Sequence, residues 1–220
     1  MTLKIDVISD VVCPWCFIGK RKLERALERY GECNAEVEPP EVTWHPFQLN
    51  PDMPVEGLDR REYLRRKFGG QSTQIYARVS AAGAQVGIPF AFDKVTRQPN
   101  TLAAHSLIML AGESGLQNNV VEGLFRGYFI DGRDLSANET LSDIACAAGL
   151  ARPQVEACLS SAQAREQVRS EDEQARRLGV EGVPFFVFNG RYAVSGAQDT
   201  EVLVDAMLAS EREPLPANDE

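Results

Sequence analysis

Apolar and polar residues alternate through Leu3-Lys4-Ile5-Asp6-Val7-Ile8, the period-2 pattern of a half-buried strand. Past Pro14 the period lengthens: Phe17, Leu23, Ala26, Leu27 and Tyr30 share one helical stripe, with Lys20, Arg21, Lys22, Glu24 and Arg25 between them. Pro39-Pro40 leads into a second strand, Val42 to Leu49, which Pro46 marks as an edge or bulged position because proline offers a ladder no N–H. From about residue 58 the period turns helical for roughly 120 positions. Within that block Asp59 with Glu62, and Ser136 with Glu139, read as capping boxes, and Asn100 as the cap of the helix carrying Leu102, Ala103, Leu107, Leu110 and Ala111. Ile75, Val79, Ala82 and Val86 form a further stripe, and Val120, Val121, Leu124, Phe125, Tyr128 and Phe129 the strongest amphipathic face. Gly69-Gly70, Gly87, Asp131-Gly132 and Gly149 punctuate these segments, and Pro153 breaks the chain before Val155 and Leu159. A helix over 163–178 is so charged that its polar face belongs in solvent. Strand signals return at Val183 to Phe188, and Asn189-Gly190 turns the chain into Arg191 to Val194 as a type I′ hairpin. Asp199 can cap a last helix with Val202, Leu203, Ala206 and Met207 inward, followed by a flexible tail over 212–220.

The order strand, helix, strand, helical block, hairpin, helix predicts a small α/β core interrupted by an inserted all-helical domain, since the block exceeds what one crossover needs. The boundaries fall at 1–57 and 179–211 for the discontinuous core and 58–178 for the insertion. With 220 residues, 44% of them hydrophobic, the chain can bury a substantial core. A formal charge of −9 argues against nucleic acid or an anionic membrane as partner. Asp6 and Asp10 interrupt the apolar N-terminal residues, so no signal peptide is expected, and no later run is long enough to span a membrane. Five unevenly spaced cysteines do not make a disulfide framework and fit a reducing, cytoplasmic compartment.

Chemistry enters with Cys13-Pro14-Trp15-Cys16 at the strand-to-helix turn. Pro14 suits the first helical position, which puts Cys13 at the N-cap, where free N–H groups and the helix dipole stabilise an anion. Cys13 is therefore the more acidic, attacking thiol. Cys16, three residues on, shares its helical side at disulfide reach and is the resolving thiol. A zinc site would need a second ligand pair, but Cys33, Cys146 and Cys158 stand alone, and His45 and His105 lie 60 positions apart. No metal is expected. Cys146 and Cys158 sit on apolar faces and read as core residues, whereas Cys33 is a surface thiol or a second redox centre.

The second half of the site is Gly182-Val183-Pro184, with Pro184 171 positions after Cys13. Here the chain resembles the thioredoxin superfamily, and more narrowly the DsbA-like oxidoreductases with an inserted helical domain, in their FrnE-like branch. The carriers are Ser9-Asp10-Val11-Val12-Cys13-Pro14-Trp15-Cys16-Phe17-Ile18-Gly19, Trp44-His45-Pro46-Phe47-Gln48-Leu49-Asn50-Pro51, Asn100-Thr101, Ala104-His105, Gly182-Val183-Pro184-Phe185-Phe186-Val187 and Ser195-Gly196-Ala197-Gln198. The resemblance implies a thioredoxin fold, a cis Pro184 lying against the two thiols, and a backbone at Val183 free to pair with an extended substrate, beside Pro14 and Trp15. It also sets His105 on the insertion, where it lines the cleft and tunes Cys13; the bland alternative is a half-buried histidine satisfied by backbone.

The implied activity is thiol–disulfide exchange on protein or small-molecule thiols and disulfides, by a monomer or homodimer, with no cofactor beyond the Cys13-Cys16 pair and glutathione as a conceivable co-substrate. Trp15 brings no positive charge between the cysteines, unlike the His of strongly oxidising members, which points to a moderate potential and to isomerase or general exchange activity. The alternative is a glutathione-dependent isomerase or transferase, because the fold also resembles 2-hydroxychromene-2-carboxylate isomerase and kappa-class glutathione transferases. Their first motif position is usually Ser, where this chain has Cys13.

Overall fold

The computed structural model describes residues 2–33 and 38–212, the Cys33 side chain excepted. The expectations for Cys33 and for the tail over 213–220 lie outside the described residues. In chain order the elements are β1 (Lys4–Ser9), α1 (Pro14–Cys33), β2 (Glu41–Pro46), β3 (Leu58–Asp59), α2 (Arg60–Phe68), a 3-10 turn (Gly69–Gln71), α3 (Ser72–Gln85), β4 (Arg97–Gln98), α4 (Leu102–Gly112), α5 (Gln117–Phe129), α6 (Asn138–Ala147), α7 (Arg152–Ser160), α8 (Ala162–Arg177), β5 (Phe185–Phe188), β6 (Tyr192–Ser195) and α9 (Thr200–Arg212).

One four-stranded sheet runs β2-β1-β5-β6. β1 is parallel to β2, Lys4 facing Glu41 and Ser9 facing Pro46, and antiparallel to β5, Val7 facing Phe186. Parallel neighbours need a crossover, and α1 supplies it. β6 closes the sheet as a hairpin whose turn residues Asn189 and Gly190 have φ of 50° and 67°, the positive values a type I′ turn requires. The helical block enters between β2 and β5, as expected.

β2 is an edge strand, which suits Pro46. Its open side is closed by a side chain: Gln117 Oε1 accepts from Trp44 N at 2.9 Å and Nε2 donates to Trp44 O at 3.2 Å. The strand stops at Pro46 and does not reach Leu49, because two carboxylates take the N–H groups a ladder would use. Gln48 N donates to Asp172 Oδ1 at 2.9 Å and Leu49 N to Asp10 Oδ2 at 2.8 Å. Asp172 therefore corrects the expectation of a solvated α8: it is 4% exposed, paired with Arg176 and turned onto the β2 loop.

Other details differ for local reasons. The antiparallel pair of β3 and β4 is two residues long in each strand, too short to leave a period in the sequence. Asp59 caps α2 by accepting from Glu62 N at 3.0 Å, but Ser136 does not cap α6, since its N–H and hydroxyl both donate to Asp134 Oδ1. Asn100 accepts from Leu102 N at 2.9 Å, one residue earlier than the cap position of α4. The Asp199 carboxylate meets Lys22 at 2.8 Å, and α9 extends through Arg212, the first residue assigned to the tail.

The core is continuous from the sheet into the insertion. Phe17 of α1 stacks on Phe125 of α5 with centroids 5.0 Å apart, and Phe90 meets Phe17 edge-on at 6.0 Å. Lys20, expected among the polar residues of α1, is instead 2% exposed and paired with Glu24 and Glu122. Arg21 grips the same Glu122, so this charge cluster ties α1 to α5. Cys158 packs partly buried against the core, its thiol donating to Ser106 O at 3.5 Å, and burial pushes that thiol up. Cys146 is likewise half-buried there. No described helix is long and apolar enough to cross a membrane.

Candidate dithiol site

β1 ends at Ser9, and the chain turns through residues 10–12 into α1. Cys13 N donates to Asp10 O at 3.0 Å, while Cys13 O accepts from Cys16 N at 3.0 Å and Phe17 N at 3.4 Å. Cys13 is thus the residue whose carbonyl opens the helix, and Pro14 takes the first helical position, where its missing N–H costs nothing. Both cysteines are free thiols and both are buried, Cys13 4% and Cys16 1% exposed.

Their surroundings differ. The Cys13 thiol donates to Val183 O at 3.5 Å, on the loop from α8 to β5. Cys16 faces inward, and burial pushes its thiol well above the usual range, with the adjoining Cys13 raising it further. Contacts with the Asp10 backbone and Ser9 offset part of that rise. Cys16 is held as a protonated thiol. Trp15 between them is 41% exposed, and Pro14 is half-buried.

The Val183–Pro184 bond is cis. The Pro184 ring lies on α1 at Gly19, where a Cβ would stand only 2.8 Å from Pro184 Cγ. Gly19 is three residues after Cys16, on the same helical side, so this close approach sets the Val183–Pro184 loop over the dithiol. Pro184 O accepts from Gly196 N at 2.8 Å, which anchors the loop to the end of β6. Cys13, Cys16, Val183 and Pro184 therefore converge from opposite ends of the chain.

His105 belongs to the inserted helical block. It is 3% exposed on α4, and its Nε2 lies 3.4 Å from Asp10 Oδ1, off the line of a hydrogen bond. Asp10 is wholly buried, its carboxylate accepting from Val12 N at 3.4 Å and Leu49 N at 2.8 Å. The sequence pattern did not single out Asp10 as a site residue. Its signal is a lone acid between Ile8 and Val11-Val12, where every neighbour reads as core. His45 lies apart, on β2, between Asp6 at 2.9 Å and Glu171 at 3.8 Å. No group of three His, Cys, Asp or Glu among the described residues is arranged to hold a metal ion.

Residues 4–208 match the DSBA-like thioredoxin domain family. A probable DsbA oxidoreductase from Streptomyces coelicolor has the same fold at a TM-score of 0.85, with 32% identity over 99% of this chain and 94% of that one. The uncharacterized protein YwbO of Bacillus subtilis is 25% identical over 208 residues, 94% of this chain and 96% of its own. A 2-hydroxychromene-2-carboxylate isomerase shares the fold at a TM-score of 0.70 and 17% identity, covering 95% of this chain and 96% of that one.

Proposed function

The chain belongs to the DSBA-like thioredoxin domain family, and from that premise we propose that it is a thiol–disulfide oxidoreductase or isomerase in which Cys13 attacks and Cys16 resolves. The observation that carries the reading is the unequal setting of the two thiols. Cys13 opens α1 and points at Val183 O, while Cys16 is sealed beneath it and held protonated.

In the forward direction the Cys13 thiolate attacks one sulfur of a substrate disulfide, forming a mixed disulfide and expelling the other sulfur as a thiolate that takes up a proton. Cys16 then gives up its proton and attacks Cys13 Sγ. The Cys13–Cys16 bond forms, the second substrate sulfur leaves as a thiolate and is protonated, and the substrate has gained two electrons that the dithiol has lost. Val183 supplies a backbone for an extended substrate to pair with, and the half-exposed Trp15 a flat apolar contact beside Cys13. The thioredoxin-like domain is taken as residues 1–57 and 179–211, the helical domain as 58–178, and the compartment as cytoplasmic.

The test is turnover with insulin as the disulfide substrate. Cys13→Ser is expected to abolish it, and Cys16→Ser to accumulate a covalent mixed disulfide that dithiothreitol releases. Undiminished turnover in Cys13→Ser would end the proposal. The glutathione-dependent isomerase reading has the shared fold behind it; tight glutathione binding that persists in Cys16→Ser, without insulin reduction by the wild type, would favour it.

A further inference from the structure

The redox reading leaves two buried titratable groups without a task, Asp10 and His105. A carboxylate at zero exposure needs compensation, and two backbone N–H donors, from Val12 and Leu49, supply part of it. The remainder faces His105. Its Nε2 stands 3.4 Å from Asp10 Oδ1, is buried, and has no hydrogen-bond partner. The main chain of α4 fixes this approach, since His105 N donates to Thr101 O at 2.9 Å. Asp10 in turn acts on both cysteines through its backbone: its carbonyl accepts from Cys13 N at 3.0 Å, and its main chain offsets part of the rise that burial imposes on the Cys16 thiol. One residue thus joins the dithiol to an imidazole on the inserted helices.

We propose that Asp10 and His105 form a buried positioning pair for the dithiol, in which His105 screens the Asp10 charge from the two sulfurs and so sets how readily the disulfide forms. This rests on Cys13 and Cys16 being a redox pair. The other titratable or charged groups around the pair are the two thiols on α1, Tyr128 on α5, whose hydroxyl feels both Asp10 and Arg60 of α2, and the Asp172–Arg176 pair of α8 behind Gln48. Among these, the imidazole alone brings a side-chain nitrogen to within 4 Å of the Asp10 carboxylate.

The equilibrium to measure is dithiol plus oxidised glutathione giving the Cys13–Cys16 disulfide plus two reduced glutathione molecules, which conserves electrons and protons. An unscreened anion beside the sulfurs disfavours the thiolate and with it the reduced form. Asp10→Asn removes the anion and is expected to shift the equilibrium toward the dithiol roughly three- to tenfold. His105→Leu exposes the anion and is expected to shift it by a similar factor toward the disulfide. In the Asp10→Asn background His105→Leu should change nothing beyond about twofold. His105→Gln retains an N–H donor and should lie between wild type and His105→Leu; if the leucine variant does not fold, the glutamine variant in both backgrounds carries the same comparison. A purely structural role would move both single variants in one direction, or make them additive, and either result overturns the pair. A wild-type protein that forms no Cys13–Cys16 disulfide in any glutathione buffer overturns the redox reading and this proposal together.

Discussion

Gly19→Ala adds one methyl group at the contact that holds the Val183–Pro184 loop over the thiols. The new Cβ would lie 2.8 Å from Pro184 Cγ, 3.3 Å from Pro184 Cβ and 3.2 Å from Phe186 Cζ. Carbon atoms pack at about 3.5–4.0 Å, so the nearest contact is about 0.7 Å too short. Neither neighbour yields easily: Pro184 is a ring whose carbonyl is tied to Gly196 N, and Phe186 is wholly buried. Overpacking of this kind costs about 1–3 kcal/mol, against about 1 kcal/mol gained by replacing glycine in a helix interior. The loss should win, leaving Gly19→Ala about 1 kcal/mol less stable in guanidinium titrations of the reduced protein. Moving the loop also lengthens the Cys13–Val183 contact, so iodoacetamide should label Cys13 several-fold faster. Gly31→Ala is the control, on the same helix with nothing among the described residues within 4 Å of the added Cβ, and should gain a few tenths to about 1 kcal/mol. Were Gly19→Ala to gain as much as Gly31→Ala with labelling unchanged, the close approach of Pro184 to α1 would be wrong.

Two further outcomes follow from charge. His45 is raised to about 9 by its hydrogen bond to Asp6 and by the neighbouring Glu171 carboxylate, so its contribution is complete below an unfolded value of about 6.5 and is lost as pH rises through about 9. At this partly exposed site it amounts to no more than about 1 kcal/mol, and the stability gap between wild type and His45→Gln should be present at about pH 6 and gone by about pH 10. Burial alone would raise Glu122, but its contacts with Arg21 and Lys20 outweigh that and hold it below the usual carboxylate range. Its stabilisation is therefore present above the unfolded value and lost as pH falls through the lower folded one. Glu122→Gln leaves the buried Lys20 with Glu24 as its one carboxylate among the described residues, and should cost about 1–3 kcal/mol at neutral pH in urea denaturation.

What could be read along the chain was whatever depends on neighbours in sequence. The alternation in β1, Pro14 opening α1 behind Cys13, and the turn at Asn189-Gly190 are all set within a few residues, and each stands where expected. The inserted helices were legible for the same reason. Features decided by distant partners were not. Asp172 looks like one more charge on a charged helix until Gln48, 124 positions away, offers it an N–H. Lys20 sits on a polar stripe of α1, and only the arrival of α5 with Glu122 buries it. Asp134 intercepts Ser136 locally, but two local options compete there and periodicity does not rank them. At the site, Cys13 and Cys16 carry their own signal, whereas the meeting of Asp10 with His105 requires α4 to be laid across the end of β1.

The Gln117 amide seated on Trp44 has a consequence for how this molecule meets its own kind. A sheet margin with bare N–H and C=O groups is a template on which another chain can crystallise into register. On the β2 side Gln117 already occupies both groups of Trp44, and Pro46 has no hydrogen to offer. With Trp44 and Pro46 closed in this way, the more open margin of the sheet is β6, a ribbon of four residues from Tyr192 to Ser195 that ends at a glycine.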